Sequence, residues 1–198
     1  MYREWDVDLR WAPFLLDPSI PPQGRERARQ TTPDTPKSHL ELRGEQAGLE
    51  FRRGRTFTPN SMLALQAGEY AQHHGTPEQV TAFHRTLFKA NFTDFEDLSD
   101  VAVLVRIAGE HGFDSDDVRD ALATGRYREQ VDQGIAHSYE IGVTGIPTFI
   151  FNDRYAIVGA QEYDTFEMAL TRLGARRRDA SGPAPNATPR DGELDDFA

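Results

Sequence analysis

The residue types that most often perform chemistry in proteins are sparse in this chain. Its 198 residues contain no cysteine, which excludes structural disulfides, thiolate nucleophiles and cysteine-ligated metals. The six histidines show no HExxH or comparable metal-ligand spacing; they are His39, His73, His74, His84, His111 and His137. P-loop, GxGxxG and GxSxG motifs are also missing. The sequence therefore predicts no metal, no cofactor and no catalytic side chain.

Structural roles explain the histidines and the acidic residues around Ser115 better than catalytic or metal-binding roles do. His73 and His74 fall at a predicted helix C-terminus, where a cationic imidazole favours the helix dipole. His84 lies on an apolar helix stripe, which is typical of a hydrogen-bonded, partly buried histidine. The acidic residues around Ser115 stand at a predicted helix start, where negative charge also favours the dipole.

The overall composition of the chain limits the kinds of molecule that it is expected to bind. The formal net charge is −10 and the isoelectric point about 5.0, which argues against nucleic acid or an anionic membrane surface as the main partner. No apolar run reaches transmembrane length. The first ten residues, MYREWDVDLR, are charged and lack the apolar core of a signal peptide, so a cytoplasmic location is expected.

One short segment, GVTGIPTFIF at residues 142–151, remains unusual. Pro147 stands directly before Thr148–Phe151, a run that reads as a buried strand. A proline at this point removes a backbone donor and restricts φ, so we expect Pro147 to have a specific role.

The surrounding pattern predicts the elements that hold this segment. Strict alternation over residues 5–11 predicts a half-buried strand. Residues 148–151 and 155–158 predict a β-hairpin around a turn at 152–154. Helical periodicity and capping signals predict helices at about 36–48, 61–74, 77–88, 99–112, 115–122, 126–140 and from residue 164 or 165 onward. The order favours an α/β domain with a helical insertion.

The succession of helix, GVTGIPTF, turn, strand, GAQ and helix closely resembles the C-terminal half of a thioredoxin-like fold. More narrowly, it resembles the DsbA family in its cytoplasmic FrnE-like branch. WAPFLLDPSIPPQG resembles that branch's second strand and following turn, and FHRTLFKANFTDFEDLSDVAVLVRIAGEHGFD resembles its paired helices. The resemblance extends over about residues 5–174.

The resemblance implies an α/β, thioredoxin-like fold of the DsbA type. Residues 5–16 and 141–174 would form the thioredoxin-like part, residues 36–140 the helical insertion, and residues 175–198 a disordered tail. The family's first strand and first helix have no counterpart in this chain.

The resemblance also implies a binding site and a reaction. In the family the bond before this proline is cis, and the preceding residue offers its N–H and C=O to an extended peptide. Ile146 and Pro147 are therefore the expected substrate-binding positions, with an extended or unfolded polypeptide as partner. The family's reaction is thiol–disulfide exchange, as in oxidoreductases and isomerases, but its Cys-x-x-Cys is absent here, so the chain as written is expected to be redox-inactive.

Three origins of that difference remain open: a start site placed too late, a genuine remnant, or a cysteine-free binding protein that keeps the peptide groove. The first is favoured, because the whole N-terminal unit lacks a counterpart while the rest matches. The alternative functions are a non-catalytic peptide-binding or holdase module and a relative of glutathione-dependent 2-hydroxychromene-2-carboxylate isomerases. A homodimer that supplies a strand across the resulting gap is a further expectation.

Overall fold

The computed structural model of this chain describes residues 4–178. They divide into two compact units, the smaller made of residues 4–9 and 161–178 and the larger of residues 10–160. No helix in residues 4–178 combines the length and apolar character needed to cross a bilayer.

The larger unit is mainly helical. Its elements in chain order are β1 Arg25–Glu26, α1 His39–Gln46, β2 Phe57–Thr58, α2 Met62–His74, α3 Pro77–Lys89, a π-helical turn Ala90–Asp94, α4 Val101–Glu110, α5 Ser115–Thr124, α6 Arg128–Glu140, β3 Thr148–Phe151 and β4 Tyr155–Val158. The smaller unit contributes α7 Tyr163–Arg172.

The core of the larger unit lies where α3, α4, α5 and α6 pack around α2. Among its side chains that are less than 2% exposed, the largest are Phe83, Leu104, Ile107, Val118 and Val131. Within one helix the buried positions recur at helical spacing, as Val80, Phe83 and Leu87 do on α3, so the helix buries one apolar face and leaves its polar face in water.

Local capping signals determine where several helices begin. Thr76 forms the predicted capping box with Gln79, and Pro77 occupies the first helical position of α3. Two predicted caps are shifted by one residue, because an aspartate next to each predicted serine accepts the backbone N–H groups instead. Asp100 caps α4 in place of Ser99, and Asp114 caps α5 in place of Ser115.

The predicted β-hairpin forms with the predicted bounds. β3 and β4 pair in antiparallel register, with Thr148 opposite Val158 and Phe151 opposite Tyr155. Asn152 and Asp153 in the turn have φ values of 49° and 53°, a backbone region that these two residue types tolerate better than most. A second, shorter antiparallel pair joins β1 to β2, which the sequence pattern does not predict.

The predicted strand at residues 5–11 is wrong. A strand requires a neighbour with which successive residues pair. The strand-like pairing described for this segment is a single isolated bridge between Trp5 and Arg177, next to the hydrogen bond from Asp6 N–H to Arg176 O. Trp5 is nevertheless buried, and the guanidinium of Arg177 lies 5.0 Å from its ring centroid.

The chain after α7 begins with ordered contacts. Arg178 N–H donates to Glu4 O at 2.8 Å, and Asp6 N–H donates to Arg176 O at 2.8 Å. Disorder was predicted from residue 175, but residues 176–178 pair with the N-terminal segment because backbone partners are available there. The remainder of the predicted disordered tail, residues 179–198, lies outside the described residues.

Candidate functional site

The loop that carries Ile146 and Pro147 is anchored at the C-terminal end of α6. Val143 N–H donates to Ser138 O at 2.9 Å, and Gly142 adopts φ 81°, which reverses the chain after the helix. At the other end of the loop, the Thr148 hydroxyl donates to Gly145 O at 2.7 Å. The loop is therefore held at both ends while Ile146 and Pro147 face solvent.

The end of α6 is itself fixed by the segment at Pro13–Leu15. The Tyr139 hydroxyl donates to Leu15 O at 2.7 Å. The buried Ser138 hydroxyl shares its one proton between Gly134 O at 2.9 Å and Pro13 O at 3.2 Å. A Cβ at residue 134 would lie 2.6 Å from Pro13 Cγ, so this close approach requires glycine. This packing supports the helix end from which the loop departs.

Ile146 presents unpaired backbone groups at the surface. The Ile146–Pro147 peptide bond is cis. Ile146 is 54% exposed, and in residues 4–178 neither its N–H nor its C=O has a hydrogen-bond partner. An exposed donor and acceptor on one residue can pair with a polypeptide backbone.

The edge of β3 that faces away from β4 continues the unpaired backbone of Ile146. Gly159 N–H donates to Pro147 O at 2.8 Å, so residue 147 belongs to a hydrogen-bonded pair. Hydrogen-bonded and non-hydrogen-bonded pairs alternate along an antiparallel ladder. The backbone groups of Thr148 and Ile150 therefore point away from β4, to the same side as the free edge. No strand in residues 4–178 pairs with that edge.

The side chains beside this edge are apolar. Directly opposite residues share a face, so Ile150 and Ala156 lie on the same side of the hairpin as Thr148 and Val158. Ile150 is 43% exposed and Val158 is 60% exposed. The segment from Gly142 to Phe151 contains no titratable side chain. The site can form main-chain hydrogen bonds and apolar contacts, and this segment offers no titratable group.

The titratable groups with shifted pKa values lie elsewhere and have structural causes. Burial lowers the pKa of His84, which is stacked on Trp11 at 4.3 Å between ring centroids and donates from Nδ1 to Val80 O. Burial also raises the pKa of Tyr70, whose hydroxyl donates to Asp117 at 2.8 Å. Among the described residues no group of His, Asp or Glu side chains is arranged to hold a metal.

A cavity of about 380 Å³ lies beside α1. Its lining contains cationic lysine and arginine side chains as well as anionic glutamate side chains. Lys37 pairs with Glu45 there, and Arg53 pairs with Glu41 at 2.8 Å. Arg52 and Glu50 add one charge of each sign to the lining, so the cavity shows no preference for a cationic or an anionic ligand.

Comparison with known proteins places this geometry in a family. Residues 1–171 match the model of the DSBA-like thioredoxin domain. The chain belongs to that family. The fold of this DSBA-like domain is thus the thioredoxin-like, DsbA-type fold that the sequence predicts.

Relatives of the DSBA-like domain include proteins of known sequence and of known structure. The uncharacterized protein YwbO of Bacillus subtilis is 28% identical over 168 residues, which cover 84% of this chain and 82% of YwbO. The crystal structure of a probable DsbA oxidoreductase from Streptomyces coelicolor is 26% identical, with a TM-score of 0.59, and the match covers 76% of this chain and 67% of the other. A candidate protein disulfide isomerase from Nitrosomonas europaea shares the fold at 16% identity and a TM-score of 0.55, with 74% of this chain and 78% of that chain covered.

The two residues expected at the site lie together and exposed in this DSBA-like domain, whereas the edge positions Thr148 and Ile150 were not anticipated. Their involvement follows from the ladder parity that Pro147 and Gly159 establish. The predicted hairpin could have identified these two positions, because the backbone groups of successive residues along a strand point to opposite edges.

Proposed function

We propose that this DSBA-like domain binds extended polypeptide segments by strand addition along the free edge of β3, with Ile146 as the first contact. The observation that carries the proposal is the unpaired N–H and C=O of Ile146, continuous with the outward backbone groups of Thr148 and Ile150. Main-chain pairing of this kind provides affinity, and the neighbouring apolar side chains favour apolar peptides.

Removal of one outward donor provides the sharpest test. Thr148→Pro deletes an N–H at the free edge and leaves the ladder with β4 intact, because residue 148 belongs to a non-hydrogen-bonded pair. Fluorescence anisotropy with a labelled, apolar, extended peptide measures the affinity. We expect Thr148→Pro to weaken binding by about tenfold, since it removes one hydrogen bond and places a ring at the edge.

Two matched variants separate the edge from general effects. Ala156→Pro deletes the outward N–H of β4 on the opposite edge of the same hairpin, and Thr148→Val removes only the hydroxyl that donates to Gly145 O. Both should retain the wild-type affinity within about twofold. An equal loss in Thr148→Pro and Ala156→Pro, or no loss in either, would contradict strand addition at β3.

Thiol–disulfide exchange is the second candidate function, and the likeness to the Streptomyces coelicolor protein favours it. The reaction needs a thiolate that attacks a disulfide sulfur, and these 198 residues contain no cysteine. In this proposal the thiol comes from outside the 198 residues, and the domain holds the substrate peptide.

An insulin-reduction assay with glutathione as the external thiol distinguishes the two candidates. Peptide binding alone predicts the same reduction rate with and without the domain. Acceleration that is lost in Thr148→Pro would favour a substrate-holding role in exchange. Acceleration that survives Thr148→Pro would contradict both proposals for this edge.

A further inference from the structure

Two arginine-rich segments come together in a chain whose net charge is −10. They are Arg25–Arg29, with the sequence RERAR, and Arg52–Arg55, with the sequence RRGR. The β1–β2 pairing joins them: Arg25 lies opposite Thr58, and Arg27 N–H donates to Thr56 O at 2.8 Å. Farther along, the space that a Cβ of Gly54 would occupy is 3.5 Å from Arg29 Nε.

Two of these arginines have a structural role. Arg25 pairs with Asp17 at 3.7 Å and donates to Ser19. Arg53 donates from Nε to Glu41 at 2.8 Å and from Nη1 to the carbonyl of Thr35. Hydrogen bonds from the Ser38 backbone and then from Arg53 lower the pKa of Glu41 to about 2, so this carboxylate stays ionised.

The other four arginines are positioned without neutralisation of their charge. In residues 4–178 none of them forms an ion pair; they are Arg27, Arg29, Arg52 and Arg55. Arg27 donates to the amide oxygen of Gln30, and Arg55 donates to that of Asn91. Neutral amide acceptors orient a guanidinium but leave its full charge available.

Phe95 brings two of these guanidinium groups close together. The Cζ atoms of Arg52 and Arg55 lie 5.2 Å and 5.8 Å from the centroid of its ring. Phe95 follows the π-helical turn and has φ 59°, a conformation that costs a bulky residue free energy. Arg52 N–H donates to Phe92 O at 3.0 Å, which fixes the arginine segment against this turn.

The carboxylates of the two residues that flank Phe95 in the chain are engaged by other cations. Asp94 pairs with Lys89 at 2.5 Å, and Glu96 pairs with Arg106. Arg27 lies beside Arg55, because its N–H donates to the O of the adjacent Thr56. Burial first, and then the proximity of Arg27, lower the pKa of Arg55.

We propose that Arg27, Arg29, Arg52 and Arg55 form a binding site for a multiply charged oxyanion, one that carries several phosphate or carboxylate groups. We name these four residues the arginine site. Guanidinium groups recognise such oxygens through paired N–H donors, and unneutralised like charges held close together are stabilised when an anion binds. The site lies on β1, on the segment before β2 and beside the π-helical turn, and it is independent of the peptide edge at Ile146.

Calorimetric titration with tripolyphosphate, at a constant ionic strength of about 0.15 M, tests the arginine site. We expect Arg27→Gln and Arg55→Gln each to weaken binding by about tenfold. The matched control is Arg119→Gln, which removes the same charge from α5, where Arg119 pairs, among residues 4–178, only with the exposed Asp116. The control should bind within about twofold of the wild type.

Two further measurements assign the ligand and exclude a merely structural role. Titration with citrate identifies the preferred groups, because tighter binding of tripolyphosphate indicates phosphate and tighter binding of citrate indicates carboxylate. Arg27→Gln without ligand should melt at or above the wild-type temperature, because it relieves repulsion from Arg55. No binding of either anion, an equal loss in Arg119→Gln, or a lower melting temperature for Arg27→Gln would overturn the proposal.

Discussion

His84 shows how a titratable residue can be partly buried on the apolar side of a helix. Its ring is stacked on Trp11, its Nδ1 donates to Val80 O at 2.9 Å, and Gly68 on α2 leaves room for its Nε2. The apolar stripe of α3 predicted a partly buried, hydrogen-bonded histidine, and that prediction is confirmed. Its partner Trp11 was not predictable, because residues 11 and 84 meet only when the chain folds.

The lowered pKa of His84 should make stability depend on pH. Below about pH 6.5 the unfolded chain binds a proton that folded His84 resists, so the free energy of unfolding falls on acidification. We expect His84→Phe, which keeps an aromatic ring against Trp11, to reduce the loss of stability between pH 7 and pH 5. Urea unfolding at each pH measures the difference.

Some pH dependence should remain in His84→Phe, because burial also lowers the pKa of His73, with the same sign. Burial raises the pKa of Glu69, which has the opposite sign and acts from about pH 4.5 upward. An unchanged pH dependence in His84→Phe would show that His84 is protonated equally in the folded and unfolded chains.

At the scale of elements, α3 owes its start to the Thr76–Gln79 capping box. Thr76→Ala leaves the N–H of Gln79 without its acceptor, and we expect a loss of about 1 kcal/mol in the free energy of unfolding. Thr81→Ala is the control: it removes the same atoms inside the helix, where the hydroxyl only bonds back to Pro77 O. Denaturant titration should show a much smaller change for Thr81→Ala, and equal losses would contradict a capping role.

The turn of the hairpin tolerates its positive φ values at a cost. Asp153→Gly creates an Asn-Gly turn, which suits positive φ at both central residues and should stabilise the hairpin by up to about 1 kcal/mol. Hydrogen exchange at Gly159 N–H, which donates to Pro147 O, reports on the hairpin locally. Slower exchange is expected in Asp153→Gly, and faster exchange in Asp153→Ala, which keeps the Cβ but loses the polar side chain.

At the scale of the whole molecule, the free edge of β3 lacks the usual protection against pairing with other chains. Thr148–Phe151 carries no charge, and Ile150 is an exposed apolar residue on that strand. We expect concentration-dependent self-association that an edge-binding peptide reverses. Sedimentation velocity of the wild type and of Ile150→Lys measures it, and the lysine variant should be shifted toward monomer.

Leu40→Lys provides the matched control for self-association. Leu40 on α1 is also an exposed apolar residue, so this change removes similar surface and adds the same charge away from β3. It should associate like the wild type. A wild type that stays monomeric at all concentrations, or equal shifts in both variants, would contradict association through β3.

The features that the sequence predicted correctly depend mostly on interactions between residues that are close in the chain. The capping box at Thr76, the apolar stripes of the helices and the hairpin at residues 148–158 depend on neighbours a few residues apart, so pattern and propensity predict them. The motif around Pro147 likewise identified the DsbA family and placed Ile146 and Pro147 at a candidate site. The absence of cysteine is readable from composition alone.

Only the tertiary structure decided the features that need distant partners. The alternating segment at residues 5–11 has the composition of a strand, but Trp5 finds a single bridge partner and no ladder forms. The arginine site arises because β1 and β2, about thirty residues apart, bring two basic segments together beside Phe95. Strand pairing and charge clustering depend on which chain segments become neighbours in space, and hydrophobic periodicity does not encode that choice.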